Sequence, residues 1–167
     1  RFLVFRIVVM NNQIDHSFSW FCPTRVIFGN GEVSSLDRVI TELAGSQSKV
    51  FLVTGRQSLS TNGFLDRIVD SIGTERVTLF DKVLPFPTPD LVDKATLECK
   101  QALADIVVAV GGGSALDLGK AVAMIVTHDG KAEDFAQYKK QFERPGIPFV
   151  AVPTTSGSSS EVTRFTA

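Results

Sequence analysis

The sequence predicts an α/β protein in which helices cover both faces of a parallel sheet. Two observations support this prediction. Segments with the periodicity of strands and of helices alternate four times along the chain, and the connections between them are short. The later strands are apolar on both faces, as strands are when helices cover both sides of a parallel sheet.

The composition is that of a globular domain. The chain has 167 residues, 44% of them hydrophobic, and a net charge of −1. Basic residues are not clustered and no apolar run reaches the ~20 residues of a membrane helix, so we expect neither nucleic acid nor a membrane as a partner. Cys22 and Cys99 lie far apart, with no His or Cys at metal-ligand spacing, so we expect reduced thiols in a cytoplasmic protein.

The N-terminal part divides into an extension and the start of the domain. Residues 1–17 begin with an apolar, β-prone stretch that contains two arginines, and no cleavage site for a secretory signal follows. We interpret residues 1–17 as an N-terminal extension. Either residues 1–9 are not native and Met10 is the natural start, or the segment forms an edge strand. The domain then runs over 18–167, and residues 18–31 predict a short β-hairpin with a turn at Gly29-Asn30-Gly31.

The remaining elements follow from the two periodicities and from their end signals. Gly45 and Gly73 are placed to end helices, while Thr88 and Pro89 are a favourable N-cap and first helical residue. In order, we predict a helix over 32–44, a strand over 49–54, a helix over 64–72, a strand over 76–80, a helix over 89–103, a strand over 106–110, a helix over 114–126, a short helix over 132–138 and a strand over 148–152.

Three glycines, Gly111, Gly112 and Gly113, separate a buried strand from a helix. A helix N-terminus attracts phosphate, and residues without a Cβ let a pyrophosphate approach the backbone. We therefore predict a dinucleotide phosphate loop; a tight turn with close helix–sheet packing is the alternative.

Three polar residues follow the glycines. Ser114 is expected to cap the helix, with Asp117 in a capping-box role and Lys120 paired with Asp117. Either these residues stabilise the helix start, or the Ser114 hydroxyl binds phosphate and the other two line the pocket wall.

Polar or glycine-rich segments follow three of the predicted strands. Gly55-Arg56 follows the strand over 49–54, the triple glycine follows the strand over 106–110, and Thr154-Thr155 follows the strand over 148–152. Ligands of such sheets bind beyond the carboxyl ends of the strands. We therefore expect these segments to line one crevice.

Residues 111–120 and 153–163 resemble the two signature segments of the iron-containing (group III) alcohol dehydrogenase family. Phe18 to Gly31 and Pro87-Thr88 resemble that family's opening strands and its proline-rich joint, so the resemblance covers 18–167. It implies a Rossmann-like NAD(P)-binding domain followed by a helical domain that holds iron or zinc. It also implies cofactor-binding roles for Gly111, Gly112, Gly113 and Ser114 at the pyrophosphate, for Thr154, Thr155 and Ser158 at the adenine and phosphate side, and for Asp117 and Lys120 in the rest of the pocket.

The family's metal ligands lie downstream of the second segment, so the resemblance assigns no metal ligand and no catalytic residue to this chain. We expect the cofactor half of an enzyme that acts on a small alcohol, aldehyde or ketone, inactive without the metal half. The family also implies a homodimer built partly through N-terminal strands. His128, which precedes Asp129-Gly130, is expected at the surface at a helix end.

Two departures from the family pattern bear on the cofactor. Gly55-Arg56 stands where the family often has an acid that bonds the ribose of NAD, and a missing carboxylate beside an arginine suits the 2′-phosphate of NADP. Ser159 stands where the family usually has glycine, which alters the loop if that position requires positive φ.

Two other classes of function stay open. Glycerol dehydrogenases and dehydroquinate synthases have a similar glycine loop and a similar Pro-Thr-Thr segment. A non-catalytic module that binds a nucleotide or dimerises is the third hypothesis.

Overall fold

The computed structural model describes residues 24–55 and 63–163. The N-terminal extension (1–17), the first part of the predicted hairpin (18–23) and Arg56 lie outside the described residues. Residues 24–28, the described part of the predicted hairpin ahead of its turn, have no regular secondary structure, so no strand of the hairpin forms there.

The elements follow the predicted order. A 3₁₀ turn at Glu32–Ser35 leads into the first helix, and another at Thr74–Arg76 precedes the second strand. The helices are α1 (Leu36–Ala44), α2 (Phe64–Ile72), α3 (Pro89–Gln101), α4 (Gly113–Ile125) and α5 (Ala132–Ala136); the strands are β1 (Val50–Gly55), β2 (Val77–Val83), β3 (Ile106–Gly111) and β4 (Phe149–Pro153).

The four strands form one parallel sheet in the order β2-β1-β3-β4. Val50 in β1 is in register with Val77 in β2 and with Ile106 in β3, and Val107 is in register with Phe149 in β4. Because all strands run the same way, their carboxyl ends meet at one edge. The prediction of a parallel sheet is confirmed.

Helices cover both faces of the sheet, as predicted. Alternate residues of each strand point to opposite faces. Thus Phe51 and Val107 pack with α3, α4 and α5 in one core, whereas Leu52 and Val108 pack with α1 and α2 in the other. All four of these side chains are fully buried. The central strands β1 and β3 are therefore held from both sides.

The predicted end signals act as expected at α3. Thr88 has extended φ and ψ, and its hydroxyl accepts a hydrogen bond from the Leu91 N–H at 3.4 Å, as an N-cap does. Pro89 is the first residue of the helix. Gly45 and Gly73 follow the last residues of α1 and α2, and each has positive φ.

The prediction that His128 lies at the surface is wrong. It follows the end of α4, but it is only 5% exposed. Its Nε2 accepts hydrogen bonds from the backbone N–H groups of Glu143 and Arg144, at 3.1 and 3.3 Å. The proton is therefore on Nδ1, which donates to the Met124 carbonyl at 2.9 Å. The rings of Phe135 and Phe142 pack edge-on against the imidazole.

Within the described ranges, none of the helices combines the length and the apolar composition needed to cross a bilayer.

Candidate cofactor-binding site

A pocket of about 210 Å³ opens at the carboxyl edge of the sheet. The ends of β1, β2 and β3 and the start of α4 surround it. Its lining consists of Gly55, Val83, Pro85 and residues 111–115. The triple glycine and Gly55, which follow different strands in the sequence, therefore lie at one pocket, as the parallel topology predicts.

The glycine turn leaves little room for side chains. Gly111 has φ 151°, and a Cβ there would lie 2.9 Å from the Cβ of Ala115. Gly112 is the N-cap of α4 and has an ordinary φ of −80°. A Cβ on Gly112 would lie 3.2 Å from Thr155 Oγ1. A Cβ on Gly113 would lie 3.0 Å from the Cβ of Ser158. Gly111 is thus favoured by its conformation, whereas a Cβ on Gly112 or Gly113 would press against the side chain of Thr155 or Ser158.

The loop that follows β4 lies against this turn. The Thr154 N–H donates to the Gly111 carbonyl at 2.9 Å. The side chain of the next residue, Thr155, occupies the space beside Gly112, where a Cβ would come within 3.2 Å of its Oγ1. The structure therefore brings the triple glycine together with the polar segment that begins 41 residues after Gly113 in the sequence.

The start of α4 is suited to an anion. The first N–H groups of a helix have no acceptor within it and carry partial positive charge. The first turn of α4 contains no acidic residue that would compensate this charge. The 13-residue helix points its N-terminus into the pocket that the glycines leave open.

The prediction that Ser114 caps α4 is wrong. The helix begins one residue earlier, at Gly113, with Gly112 as its N-cap and no side-chain cap hydrogen bond. Instead, the Ser114 hydroxyl accepts a hydrogen bond from the Phe86 N–H at 3.3 Å. This partner comes from the proline-rich connector 28 residues away, so local sequence could not reveal it.

Asp117 and Lys120 lie deeper along α4 and are not part of the pocket lining. Asp117 is 6% exposed, and its Oδ1 lies 3.6 Å from Lys120 Nζ, which confirms the predicted pair. Lys120 Nζ also donates to Thr163 Oγ1 at 3.4 Å. Burial lowers the pKa of Lys120, while the nearby Asp117 carboxylate acts in the opposite direction. The pair joins α4 to the segment that follows the Thr154-Thr155 loop.

The loop from Ser158 to Ser160 is locally strained. The Ser158 hydroxyl accepts a hydrogen bond from the Ser160 N–H at 3.4 Å, and Ser160 is buried. Ser159 between them has φ 56°, in the left-handed region that favours glycine. The second departure from the family pattern, Ser159, is therefore at a position that glycine would occupy without strain.

Two features of the site were not predicted. Val83 and Pro85 contribute to the pocket wall, although neither belongs to the polar or glycine-rich segments expected to line the crevice. Gly119 lets α4 approach the sheet, because a Cβ on it would lie 2.7 Å from the Cβ of Ala109. An isolated glycine inside a helical pattern is the signal that could have identified it.

The described residues contain no group of three or more His, Cys, Asp or Glu side chains placed to hold a metal ion.

Comparison with known proteins identifies the family. Residues 23–167 match the family model described as "Iron-containing alcohol dehydrogenase". The chain belongs to the iron-containing alcohol dehydrogenase family. Within this family it is 34% identical to a probable NADH-dependent butanol dehydrogenase of Bacillus subtilis (strain 168) over 148 residues, which are 87% of this chain and 37% of that protein.

Solved structures of the iron-containing alcohol dehydrogenases and their relatives share this fold. An archaeal halo-thermophilic alcohol dehydrogenase from a Red Sea brine pool matches with a TM-score of 0.80 and 28% identity, over 90% of this chain and 40% of that one. Sulfoacetaldehyde reductase from Bifidobacterium kashiwanohense, solved in complex with NAD⁺, matches with a TM-score of 0.79 and 26% identity, over 89% and 39%. The chain thus spans about two fifths of the length of these relatives.

Proposed function

We propose that this chain is the cofactor-binding part of a metal-dependent alcohol dehydrogenase that uses a nicotinamide dinucleotide. The observation that carries the proposal is the glycine turn, which opens a pocket directly in front of the N-terminus of α4. Uncompensated N–H groups and the absence of Cβ atoms make this turn a favourable place for a pyrophosphate. The family relationship and the NADH-dependent relatives support the choice of a nicotinamide dinucleotide.

The residues of the chain would hold and orient this cofactor. The N–H groups at the start of α4 and the Ser114 hydroxyl are placed to donate to phosphate oxygens. Thr154 and Thr155 would border the phosphates from the other side, since their loop lies against the glycine turn. Asp117 and Lys120 would support the pocket through α4 and the segment up to Thr163, without contacting the pyrophosphate.

The chemistry itself is that of the cofactor and of the metal. When bound, the nicotinamide cofactor would supply hydride transfer to or from the carbon of an alcohol, aldehyde or ketone. The resemblance places the ligands for iron or zinc downstream of residues 153–163, and it assigns none to residues 1–167. We infer that the 167-residue chain binds cofactor but does not turn over alcohols. Turnover of butanol by this chain, followed as NADH or NADPH absorbance, would contradict that inference.

The proposal includes a preference for NADP. Gly55 ends β1 at the pocket and carries no carboxylate that would bond a ribose 2′-hydroxyl and repel a 2′-phosphate. The butanol dehydrogenase of Bacillus subtilis is named NADH-dependent, so this chain would differ from it in its preferred cofactor. Arg56, the expected partner of the phosphate, lies outside the described residues.

Calorimetric titration with NADPH and NADH tests both parts of the proposal. We expect the chain to bind NADPH more tightly than NADH. The variant Gly55→Asp should reverse the order, and Gly55→Asn, of equal size but uncharged, should not. Failure of the chain to bind either dinucleotide would contradict the cofactor site. Binding without any response of the order to Gly55→Asp would contradict only the preference for NADP.

A further inference from the structure

The turn at Gly29-Asn30-Gly31 does not line the pocket at the glycine turn, but it contains a reactive dipeptide. Asn30 is exposed, and Gly31, which follows it, is the N-cap of the first 3₁₀ turn. The backbone nitrogen of the residue after an asparagine can attack the side-chain amide carbon, and a residue without a Cβ resists the closing ring least. Asparagine is therefore among the thermolabile residues of proteins. The dipeptide makes Asn30 a candidate for this reaction.

The folded chain leaves the groups that this reaction uses unrestrained. The Asn30 side chain, the Asn30 carbonyl and the Gly31 N–H form no hydrogen bond with another described residue. The hydrogen bonds of the turn involve other groups: the Glu32 N–H donates to the Gly29 carbonyl at 3.4 Å, and the Ser34 N–H donates to the Gly31 carbonyl at 3.0 Å. A Cβ on Gly31 would meet no atom within 4 Å. The peptide group between Asn30 and Gly31 can therefore rotate towards the side chain without losing a hydrogen bond of its own.

A similar dipeptide after α4 lies in a different environment. Asp129 is also exposed and is also followed by a glycine, Gly130. Lys140 Nζ donates to the Asp129 carbonyl at 2.9 Å, and a Cβ on Gly130 would lie 2.8 Å from the same nitrogen. The carbonyl that must turn for ring closure is therefore held in place. The two turns thus separate the effect of the folded structure from the effect of the dipeptide sequence.

We propose that Asn30 is a site of spontaneous modification, at which the side-chain amide becomes a carboxylate through a cyclic succinimide. The Gly31 nitrogen loses its proton and bonds to Asn30 Cγ, the Cγ–Nδ2 bond breaks, and ammonia leaves with that proton. Water then opens the ring at either of its two carbonyl carbons. Opening at Cγ gives an aspartyl residue, whereas opening at the backbone carbonyl carbon gives an isoaspartyl residue. The reaction needs no oxidant, reductant or enzyme.

Both products change the turn and leave the cores intact. Each adds a negative charge two residues before Glu32. In the isoaspartyl product the backbone also passes through Cβ and Cγ of residue 30, so the connection between residues 24–28 and the first 3₁₀ turn becomes longer. Residues 29–32 are all exposed, so neither change displaces a buried side chain.

The test follows residue 30 while the folded 167-residue chain is incubated in warm, mildly alkaline buffer. Trypsin cleaves after Arg25 and Arg38, so a single peptide reports on Asn30. Mass spectrometry detects the exchange of amide for carboxylate, and chromatography separates the aspartyl and isoaspartyl forms. The chain unfolded in guanidinium chloride supplies the reference rate. Asn30→Gln removes the reaction, since its ring would need a further methylene, and Asp129→Asn is the matched control that places the same dipeptide in the turn held by Lys140.

We expect Asn30 to react in the folded chain at a rate close to that in the unfolded chain and to give both products, and Asn30→Gln to abolish the signal. In Asp129→Asn, position 129 should react more slowly in the folded chain than in the unfolded one. Persistence of the Asn30 amide in the folded chain, under conditions that convert it in the unfolded chain, would overturn the proposal. So would equal folded and unfolded rates at position 129, because the structure would then not select the site. Thermal melting confirms that each variant is folded.

Discussion

Gly119 sets the distance between α4 and the sheet, and its replacement by alanine tests how the glycine turn is held in place. The added Cβ would lie 2.7 Å from Ala109 Cβ and 3.0 Å from Phe149 Cε2. Carbon atoms in contact are normally about 3.5–4.0 Å apart. Ala109 is fully buried on the central strand β3, so it cannot move aside alone. The helix must therefore shift, and the glycine turn at its N-terminus must shift with it.

Two opposing terms determine the size of this effect. Overpacking a core costs about 1–3 kcal/mol. Alanine in place of glycine inside a helix stabilises the helix by about 1 kcal/mol. We expect Gly119→Ala to lower the free energy of unfolding by about 1 kcal/mol net, and to weaken dinucleotide binding because α4 is displaced.

Urea denaturation of four proteins measures the effect and its cause: the unaltered chain, Gly119→Ala, Ala109→Gly and the double variant. Removing the Ala109 methyl makes room for the new Cβ, so the double variant should be more stable than the sum of the single changes by about 1 kcal/mol. Additivity within about 0.5 kcal/mol, or a Gly119→Ala variant more stable than the original, would refute the steric explanation.

Two further predictions concern single positions. Ser159→Gly should raise the free energy of unfolding by about 0.5–1 kcal/mol. The strain of φ 56° at Ser159 costs about 1–2 kcal/mol, and glycine removes it. The greater backbone entropy of glycine in the unfolded chain offsets part of this gain. Ser156 has no positive φ, so the control Ser156→Gly should lower the free energy of unfolding in the same urea denaturation experiment. Equal effects of the two substitutions would contradict the role of strain at Ser159. Burial raises the pKa of the Cys99 thiol from 9.0 to about 12, so at pH 8 the folded Cys22→Ser variant should not react with a disulfide reagent until it is denatured. The Cys99 thiol loses its proton at a lower pH in the unfolded chain than in the folded one, so its contribution to stability falls as pH rises from 9.0 towards 12. Rapid labelling of Cys99 in the native variant would contradict its burial.

The sheet and its helices were predictable because their signals are local. Pro89 opens α3 directly after the Thr88 cap, and Gly73 follows the end of α2. These signals depend on a few neighbouring residues, which the sequence displays. Convergence of Gly55 with the triple glycine was predictable for a different reason: parallel strands bring their carboxyl ends to one edge.

The wrong predictions involve partners that are distant in sequence. Ser114 was expected to cap its own helix, but its hydroxyl bonds to the Phe86 N–H, and Gly113 begins the helix. His128 was expected at the surface because a helix ends there, yet Phe135, Phe142 and the backbone of the following loop bury it. Local patterns contain no information about such contacts, which exist only once the chain has folded.

Amide chemical shifts of the ¹⁵N-labelled chain, recorded during titration with NADPH, test the central claim most directly. If the pyrophosphate lies on the glycine turn, the amides of Gly112, Gly113 and Ser114 should shift most, followed by those of Thr154 and Thr155. The amides around His128, at the opposite edge of the sheet, should not move. Saturable shifts confined to another part of the chain, with the three amides at the start of α4 unaffected, would contradict the claim.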